Sequence, residues 1–188
     1  MTDSTDQTYR RTSLLLRSMN VKGKTCLDIG CGEGVTVASL IDSGALLVYG
    51  IEQDQDIVSP QMRVDPQFSL MVGDATTMDL PEVDVIYCLD VVTEILAESG
   101  WDSLMALIDA MLTHAKDIFL ELPSMREDGA WKDALPFGVN NDADLYKALL
   151  KPFADSIECS YDAATIEYND YPRITWRIRT CKSCSTDG

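Results

Sequence analysis

The fold of this chain is decided by the stretch TCLDIGCGEG, residues 25–34. Its first half is a short apolar run typical of a buried strand, and its second half has three glycines at alternate positions, Gly30, Gly32 and Gly34. Apolar residues at helical spacing follow directly and continue to about Gly44. The stretch therefore predicts a strand, a tight glycine loop and a helix, with backbone amides at the helix N-terminus available to a ligand.

The rest of the chain alternates apolar runs with helical segments in the same way. We predict an N-terminal helix over 5–19, strands at 46–51, 68–72, 84–89 and 117–122, helices over 101–115 and near 142–151, a strand near 154–161 and a last strand at 172–180. Short continuous apolar runs are typical of parallel strands that helices cover on both faces. The sequence thus predicts a single α/β domain around a mostly parallel sheet.

The spacing of the glycines separates this loop from a dinucleotide site. A dinucleotide site would have its third glycine three residues after the second, whereas position 35 here is Val35. Asp28 precedes the loop, where a carboxylate fits poorly beside a pyrophosphate and suits an ammonium group or ordered water. We therefore expect a ligand other than a dinucleotide.

The segment DIGCGEG, residues 28–34, resembles motif I of the class I (Rossmann-like) S-adenosylmethionine-dependent methyltransferases. The order of elements over 25–180, about four-fifths of the chain, is similar to that family as well. The resemblance implies one doubly wound α/β domain, 1–188, with a mostly parallel seven-stranded sheet, an antiparallel last strand and helices on both faces. It implies an N-terminal helix or cap over 1–24, S-adenosylmethionine as the cofactor, and methyltransferase activity.

The resemblance also implies which residues bind the cofactor. Glu52, after the second strand, matches the acidic position that hydrogen-bonds both ribose hydroxyls, and Asp74 matches the position that reads the adenine amino group. Asp90 lies in the segment LDVV, residues 89–92, which in the family closes over the methionine part. The full set of implied cofactor-binding residues is Asp28, Gly30, Cys31, Gly32, Gly34, Glu52, Gln53, Asp74, Ala75 and Asp90.

The chemistry of that cofactor agrees with a set of carboxylates. It carries a sulfonium, an ammonium, a carboxylate, a ribose and an adenine, and it has no phosphate. Carboxylates that follow successive parallel strands meet at the carboxyl edge of a sheet, where open α/β folds bind ligands. A single aspartate at a strand end is more often a helix cap or loop residue. The prediction therefore depends on the four carboxylates together with the glycine loop.

The charge of the chain argues against a nucleic-acid partner. The net charge is −16 and both ends are basic, so residues 25–171 hold 6 basic and 28 acidic residues, a net −22. Such a body repels phosphate backbones. The segment 89–92 lacks the D/N-P-P-Y turn of amino-methylating DNA enzymes, and Cys88 has no preceding proline and reads as a core residue. We expect a small molecule or a protein side chain as the acceptor, and we favour a small molecule.

The remaining composition predicts a soluble cytoplasmic protein without a metal. No apolar run approaches the roughly 18 residues of a membrane span, and the first residues lack a secretory signal pattern. The six cysteines are too scattered for a disulfide framework. Cys181 and Cys184 form a C-x-x-C, but a structural zinc needs four ligands and no second pair exists. His114 is the only histidine, and we interpret the cysteine pair as two reduced thiols.

Candidates for the acceptor side are less specific, and the sequence assigns no catalytic residue. Asp90, Glu94 and Glu121 lie near strand ends and are candidate general bases, should the acceptor need to lose a proton. Glu94 also fits a solvated helix position. His114 fits a helix C-terminus better than a base.

A long loop and two basic segments complete the acceptor side. Residues 123–141 are predicted to form a long loop with a short helix on the substrate side, because loops of this length in a compact domain tend to be lids or binding segments. Trp131 and Phe137 in this loop either form an aromatic wall for the acceptor or anchor the loop onto the sheet. Arginines on the N-terminal helix and along one face of the last strand suggest an acceptor with an anionic group, or an acidic partner. These arginines are Arg10, Arg11, Arg17, Arg173, Arg177 and Arg179.

Two other functions use the same residues. The cofactor pocket could serve aminopropyl transfer or cleavage of the cofactor, and release of methylthioadenosine would identify the former. The domain could also be a non-catalytic binding or assembly module. The intact glycine loop and Glu52 argue against a non-catalytic module, because a domain without activity tolerates their loss.

Overall fold

A computed structural model describes residues 4–168 and 171–181. Seven strands form its sheet: β1 Thr25–Ile29, β2 Leu47–Glu52, β3 Phe68–Val72, β4 Val83–Cys88, β5 Ala115–Leu122, β6 Ile157–Tyr168 and β7 Tyr171–Thr180. They lie in the order β3-β2-β1-β4-β5-β7-β6. The pairs within β1–β5 are parallel, and β7 is antiparallel to both β5 and β6. The predicted doubly wound sheet with an antiparallel last strand is confirmed.

Helices cover both faces of this sheet. The α-helices are α1 Ser4–Ser18, α2 Val35–Asp42, α3 Pro60–Arg63, α4 Val92–Glu98, α5 Gly100–His114 and α6 Asp142–Leu150, and 3-10 segments cover Ala130–Ala134 and Lys151–Ser156. Strand residues alternate between two hydrophobic cores. Val85 and Tyr87 face the core that α1 and α2 cover, whereas Ile86 and Cys88 face the core that α5 and α6 cover. This burial on both faces explains the continuous apolar runs of the sequence.

The structure differs from the sequence prediction in three elements. The helices α3 and α4 were not predicted, and β6 begins at Ile157, whereas we predicted a strand from 154. The chain makes a 3-10 turn over Lys151–Ser156 because Pro152 starts a helical turn there. From Ile157 onward β6 pairs with β7 as far as Tyr168, with two register shifts. Pairing with β7, which the local sequence does not reveal, makes β6 longer than predicted.

The predicted alternation of the last strand is confirmed. Trp176 and Ile178 pack into the core beneath α5 and α6. Arg177, on the opposite face, reaches α1 and donates to the backbone oxygen of Ser18 at 3.0 Å.

In the described part of the chain, no helix has both the length and the apolar character to cross a membrane.

Candidate functional site

The glycine loop lies at the centre of the sheet, because β1 pairs with β2 on one side and β4 on the other. The amides of Gly30 and Cys31 both donate to the carbonyl oxygen of Ile51, at 2.9 and 3.0 Å. Gly30 has a φ of 70°, and a Cβ atom added there would overlap the Cγ1 atom of Val91. Only glycine fits this position, since it needs both a left-handed backbone and a close approach.

Glu52 at the end of β2 is held by the same loop. Its Oε2 atom accepts a hydrogen bond from the Gly32 amide at 3.0 Å, and its Oε1 atom accepts one from the Asp54 amide at 3.1 Å. Each carboxylate oxygen can accept a further bond. The backbone therefore orients the carboxylate without using its full capacity.

Asp74 follows β3 and forms a tight turn. Its Oδ1 atom accepts hydrogen bonds from the amide and the hydroxyl of Thr76, both at 2.8 Å. Such a turn fixes the side chain of an aspartate relative to its own backbone. Asp74 thus has a defined orientation at the carboxyl edge of the sheet, next to Glu52, whose carbonyl oxygen accepts from the Gly73 amide at 3.0 Å.

Two clefts adjoin at Gly30, which lines both. The first cleft, about 270 Å³, runs from β1 across the ends of β2 and β3 to α4, and the second, about 400 Å³, lies between the glycine loop and α1. Of the predicted residues, Glu52, Gln53, Asp74 and Ala75 line the first cleft. Asp28, Cys31, Gly32 and Asp90 line the second. Nine of the ten predicted cofactor residues thus line one or both of these adjoining clefts, with Gly30 lining both.

Gly34 lines neither cleft. It precedes the first residue of α2 and has a φ of 91°. A Cβ atom added to Gly34 would lie 2.8 Å from the Cγ atom of Met62. Gly34 is therefore the N-cap residue of α2, and it packs against α3.

Asp28 is the most deeply buried carboxyl group at the edge of the second cleft. Burial raises its pKa to about 7; the positive charge of Arg11 opposes this rise, and the negative charge of Glu52 adds to it. The group therefore changes charge near neutral pH. A cation arriving in the second cleft would favour its ionised form.

An arginine–carboxylate cluster borders the second cleft, and two of its members, Arg11 and Asp90, line that cleft. It consists of Arg11, Asp90, Glu121, Glu127 and Arg173. Arg11 Nη1 donates to both oxygens of Glu121, at 3.0 and 3.1 Å, and so ties α1 to the end of β5. Arg173 on β7 pairs with both Asp90 and Glu127. These partners lie 46 to 110 residues apart in the sequence.

The candidate bases have different surroundings. Glu121 lies in the arginine–carboxylate cluster, where burial raises its pKa and the charges of Arg11 and Arg173 oppose that rise. Glu94 on α4 lines the first cleft, and its pKa is raised by partial burial and then by the charge of Asp90. His114 ends α5, and its Nδ1 atom lies 2.8 Å from the carbonyl oxygen of Ala110. That contact agrees with the predicted role at a helix C-terminus.

The remaining candidates are core residues or lie apart from the clefts. Trp131 is buried and anchors the loop after β5, whereas Phe137 in the same loop is fully exposed. Cys88 is buried in the core, as predicted. No cluster of metal-ligating side chains occurs among the described residues, and Cys181 is a free thiol. Cys184 lies outside the described residues.

The arginines of the last strand have internal partners. Arg177 donates to Asp117 Oδ1 through Nε at 2.9 Å and Nη2 at 2.7 Å, and Nη1 donates to the Tyr161 hydroxyl at 2.9 Å. Arg179 Nε lies 3.5 Å from the same oxygen of Asp117. Asp117 on the neighbouring strand β5 thus pairs with Arg177 and lies close to Arg179.

Sequence reasoning missed the contribution of α4. Ile95, Glu98 and Ser99 line the first cleft from this helix and its end. The signal that could have found it is the apolar spacing of VVTEIL, residues 91–96, followed by the break at Gly100. Thr36 and Ile57, which line the second cleft, carry no signal in the sequence.

Comparisons with known proteins agree with this geometry. Residues 26–115 match the family model described as "Methyltransferase domain". The sequence has no significant match among curated proteins. The matched residues, 26–115, run from β1 to the start of β5. They include the glycine loop and the strand ends that line the two clefts.

Several solved structures share the fold. The bifunctional kinase-methyltransferase WbdD aligns at a TM-score of 0.66 and 19% identity over 94% of this chain and 39% of that one. Magnesium protoporphyrin IX methyltransferase (ChlM) from Synechocystis PCC 6803, with bound SAM, aligns at a TM-score of 0.63 and 23% sequence identity. This alignment covers 94% of this chain and 80% of that chain. A structure described as "Putative hemolysin from Streptococcus thermophilus" aligns at a TM-score of 0.64 and 12% sequence identity, over 94% of this chain and 66% of that chain. This chain spans about two-fifths of the length of the WbdD chain.

Proposed function

With the resemblance of the central segment to methyltransferase domains confirmed, we propose that the protein is an S-adenosylmethionine-dependent methyltransferase that acts on a small molecule. The observation that carries the proposal is the junction of the two clefts at Gly30. A ligand that fills both must be long, and it meets carboxylates along most of its length. The cofactor of this family has that shape and has no phosphate that these carboxylates would repel.

The first cleft fits the adenosine part. In the family that the chain resembles, the position of Glu52 binds both ribose hydroxyls, and that of Asp74 reads the adenine amino group. Both carboxylates are already oriented by backbone amides, of Gly32 and Thr76 respectively, so binding costs little side-chain entropy. Ile51, Ile95 and the side chain of Val91 supply the apolar surface that an adenine needs.

The second cleft fits the methionine part. Asp28 would hold the ammonium, and its ionised form would then be favoured by the new positive charge. Gly30 and Gly32 allow the ligand to lie against the peptide planes of the loop. When bound, S-adenosylmethionine supplies a methyl carbon that a nucleophile displaces from sulfur. The residues around it bind and orient the reactants, which is the main requirement of such a displacement.

We propose the class of acceptor from the charge of the chain. A net −22 over residues 25–171 supports a small molecule over a nucleic acid. An acceptor with an anionic group stays a prediction, although Arg177 is paired with Asp117 and offers it little free charge. Replacing Arg177 and Arg179 by Gln without a change in acceptor affinity would contradict it. We assign no general base.

We also propose the chain's organisation and location. Residues 1–188 act as one domain, with 1–24 as the cap and 123–141 on the substrate side. Glu127 of that loop pairs with Arg173 beside the second cleft, which supports the placement. Five described cysteines are free thiols, which supports a reducing, cytoplasmic compartment.

Calorimetric titration with S-adenosylmethionine and S-adenosylhomocysteine tests the cofactor site. We expect micromolar binding by the wild-type protein and at least tenfold weaker binding by Glu52→Gln, because Glu52 would lose its charge at the ribose. Glu82→Gln is the matched control, since Glu82 is exposed and precedes β4 at the opposite edge of the sheet. A folded wild-type protein that binds neither ligand would overturn the proposal.

The reaction is tested separately by its products. Incubation with S-adenosylmethionine and pools of small molecules should yield S-adenosylhomocysteine together with an acceptor heavier by one methyl group. Methylthioadenosine as the product would indicate aminopropyl transfer instead. Cofactor binding without turnover on any acceptor would favour the binding-module alternative.

A further inference from the structure

Asp90 has an unusual backbone conformation. Among the described residues it is the one non-glycine residue with a positive φ, 66°. Aspartate tolerates this left-handed region better than most residues, but it adopts it rarely without contacts that hold it there. Asp90 follows β4 and is partly exposed, so core packing alone does not fix it.

Arg173 supplies that contact. Its Nε atom donates to Glu127 Oε1 at 3.0 Å and its Nη2 atom to Glu127 Oε2 at 2.6 Å, so the guanidinium is held by a two-pronged pair. Its Nη1 atom is thereby directed at Asp90 Oδ1, with which it forms an ion pair. Glu121 Oε1, 3.6 Å from the same Nη1, adds a second negative charge to its surroundings.

The conformation of Asp90 determines where Val91 lies. The Val91 side chain occupies the space that a Cβ atom on Gly30 would need, and it lines the first cleft. Leu89 and Asp90 line the second cleft. The segment 89–91 therefore forms the boundary at which the two clefts meet. Arg173 itself lines neither cleft.

We propose that Arg173 is a positioning residue: it holds Asp90 in its left-handed conformation, keeps Val91 against Gly30, and so sets the affinity for the cofactor without touching it. The inference rests on the proposed function, because the ligand of both clefts is taken to be the cofactor. Glu127 belongs to the loop after β5, so the same pair links that loop to the boundary of the clefts.

A double-mutant cycle tests whether Arg173 acts through Asp90. S-adenosylhomocysteine affinity is measured for the wild-type protein, Arg173→Gln, Asp90→Asn and the double variant. Asparagine has the size of aspartate and is also tolerated at a positive φ, so Asp90→Asn removes the ion pair without adding steric strain of its own. We expect about tenfold weaker binding in each single variant and less than a twofold further loss in the double variant. Losses that multiply in the double variant would overturn the proposal.

Arg177→Gln is the matched control. Arg177 lies on the same face of β7, is buried to the same degree and also pairs with a buried carboxylate, but it lines neither cleft. We expect it to lower the melting temperature and leave the affinity within twofold of wild type. If Arg173→Gln does not fold, Arg173→Lys takes its place in the cycle. The lysine ammonium keeps the positive charge, but it cannot bind Glu127 and Asp90 with the geometry of a guanidinium.

A second readout does not depend on the cofactor. The methyl resonances of Val91 in ¹³C-labelled protein should shift in Arg173→Gln and stay unchanged in Arg177→Gln. Unchanged Val91 resonances in a folded Arg173→Gln variant would overturn the positioning role even if the wild-type protein binds the cofactor. If the wild-type protein does not bind it, the proposed function fails, and the Val91 resonances alone decide whether Arg173 holds the segment.

Discussion

Asp28 carries a carboxyl group that is 3% exposed in the middle of the sheet. Burial raises its pKa from 3.8 to about 7, against the opposing charge of Arg11 and with the charge of Glu52 adding to the rise. At a pH between 3.8 and about 7, the Asp28 carboxyl group therefore holds a proton in the folded protein and has released it in the unfolded chain. The stability that this group contributes is therefore complete below about pH 4 and is lost as the pH rises through 7.

We expect Asp28→Asn to remove this pH dependence. Relative to the wild type, its free energy of unfolding should rise between pH 5 and pH 8 by on the order of 2 kcal/mol. Urea unfolding at the two pH values measures the difference. Asp54→Asn, an exposed carboxylate, is the control. Equal pH slopes for Asp28→Asn and the wild type would contradict the raised pKa.

Gly30 and Gly32 form a matched pair for testing the close approach to Val91. Both have a positive φ, but a Cβ atom at Gly30 would overlap Val91, whereas at Gly32 nothing lies within 4 Å. Gly30→Ala should therefore cost about 2–4 kcal/mol of unfolding free energy, from strain and overpacking together. Gly32→Ala should cost about 1 kcal/mol from the backbone alone. Chemical denaturation without ligand compares them, and equal costs would show that Val91 does not crowd Gly30.

At the scale of elements, α1 is attached to the sheet by a buried ion pair. Arg11 reaches Glu121 at the end of β5, and the helix also packs on α2 through Leu15. Removing one partner of a buried pair destabilises the fold because the other charge loses its nearest counter-charge. Without Arg11, the nearest cation to Glu121 in the cluster is Arg173, at 3.6 Å. The pair thus connects the N-terminal helix to the same cluster that borders the second cleft.

Arg11→Ala should loosen α1 before it unfolds the sheet. We expect a loss of about 3 kcal/mol of protection in the amides of α1, with the amides of β1 changed much less. Hydrogen–deuterium exchange with mass spectrometry measures both segments. Arg10→Ala, the exposed neighbour, should leave exchange in α1 unchanged. A uniform loss of protection over the whole chain would contradict an independent attachment of α1.

Two elements show how far local sequence determines structure. β1 was predicted to the residue, because the four buried positions that follow Thr25 lead into glycines that need a positive φ. β6 was predicted too short, because its residues are held by pairing with β7 and not by an apolar pattern of their own. A strand with a weak local preference takes its length from its partner.

For the whole molecule, the dominant feature is the net charge of −16. Self-repulsion of this size destabilises the folded state, and salt screens it over about 8–10 Å at physiological ionic strength. The buried pairs of Arg173 and Arg177 are screened much less than exposed charges. Added salt should therefore act mainly on the repulsion between exposed acidic residues.

We expect the melting temperature to rise by ~3 °C between 20 and 500 mM NaCl, which corresponds to about 1 kcal/mol for a chain of this size. Differential scanning fluorimetry gives the slope with salt. Replacing the exposed residues Glu82 and Glu158 by Lys lowers the net negative charge and should reduce that slope. A falling melting temperature would indicate that exposed ion pairs outweigh the repulsion.

The sequence by itself determined the parallel core, the glycine loop and the carboxylates at its edge. These features are local: a strand ending in glycines, and acidic residues directly after apolar runs, keep their relation in any parallel sheet. The sequence could therefore predict that residues 28, 52 and 74 lie at one edge of the sheet, and in the structure they line the two clefts there. Their positions relative to one another follow from strand order alone.

Only the tertiary structure decided the arginine–carboxylate cluster. Arg173 and Asp90 lie 83 residues apart, and their contact depends on β7 entering the sheet beside β5 in the opposite direction. From the sequence we predicted that the arginine row of the last strand serves an anionic acceptor or an acidic partner, whereas the fold pairs Arg173 and Arg177 with buried carboxylates. The reason is physical: a buried charge needs a partner within a few ångströms, and which partner it finds is set by the packing of distant elements.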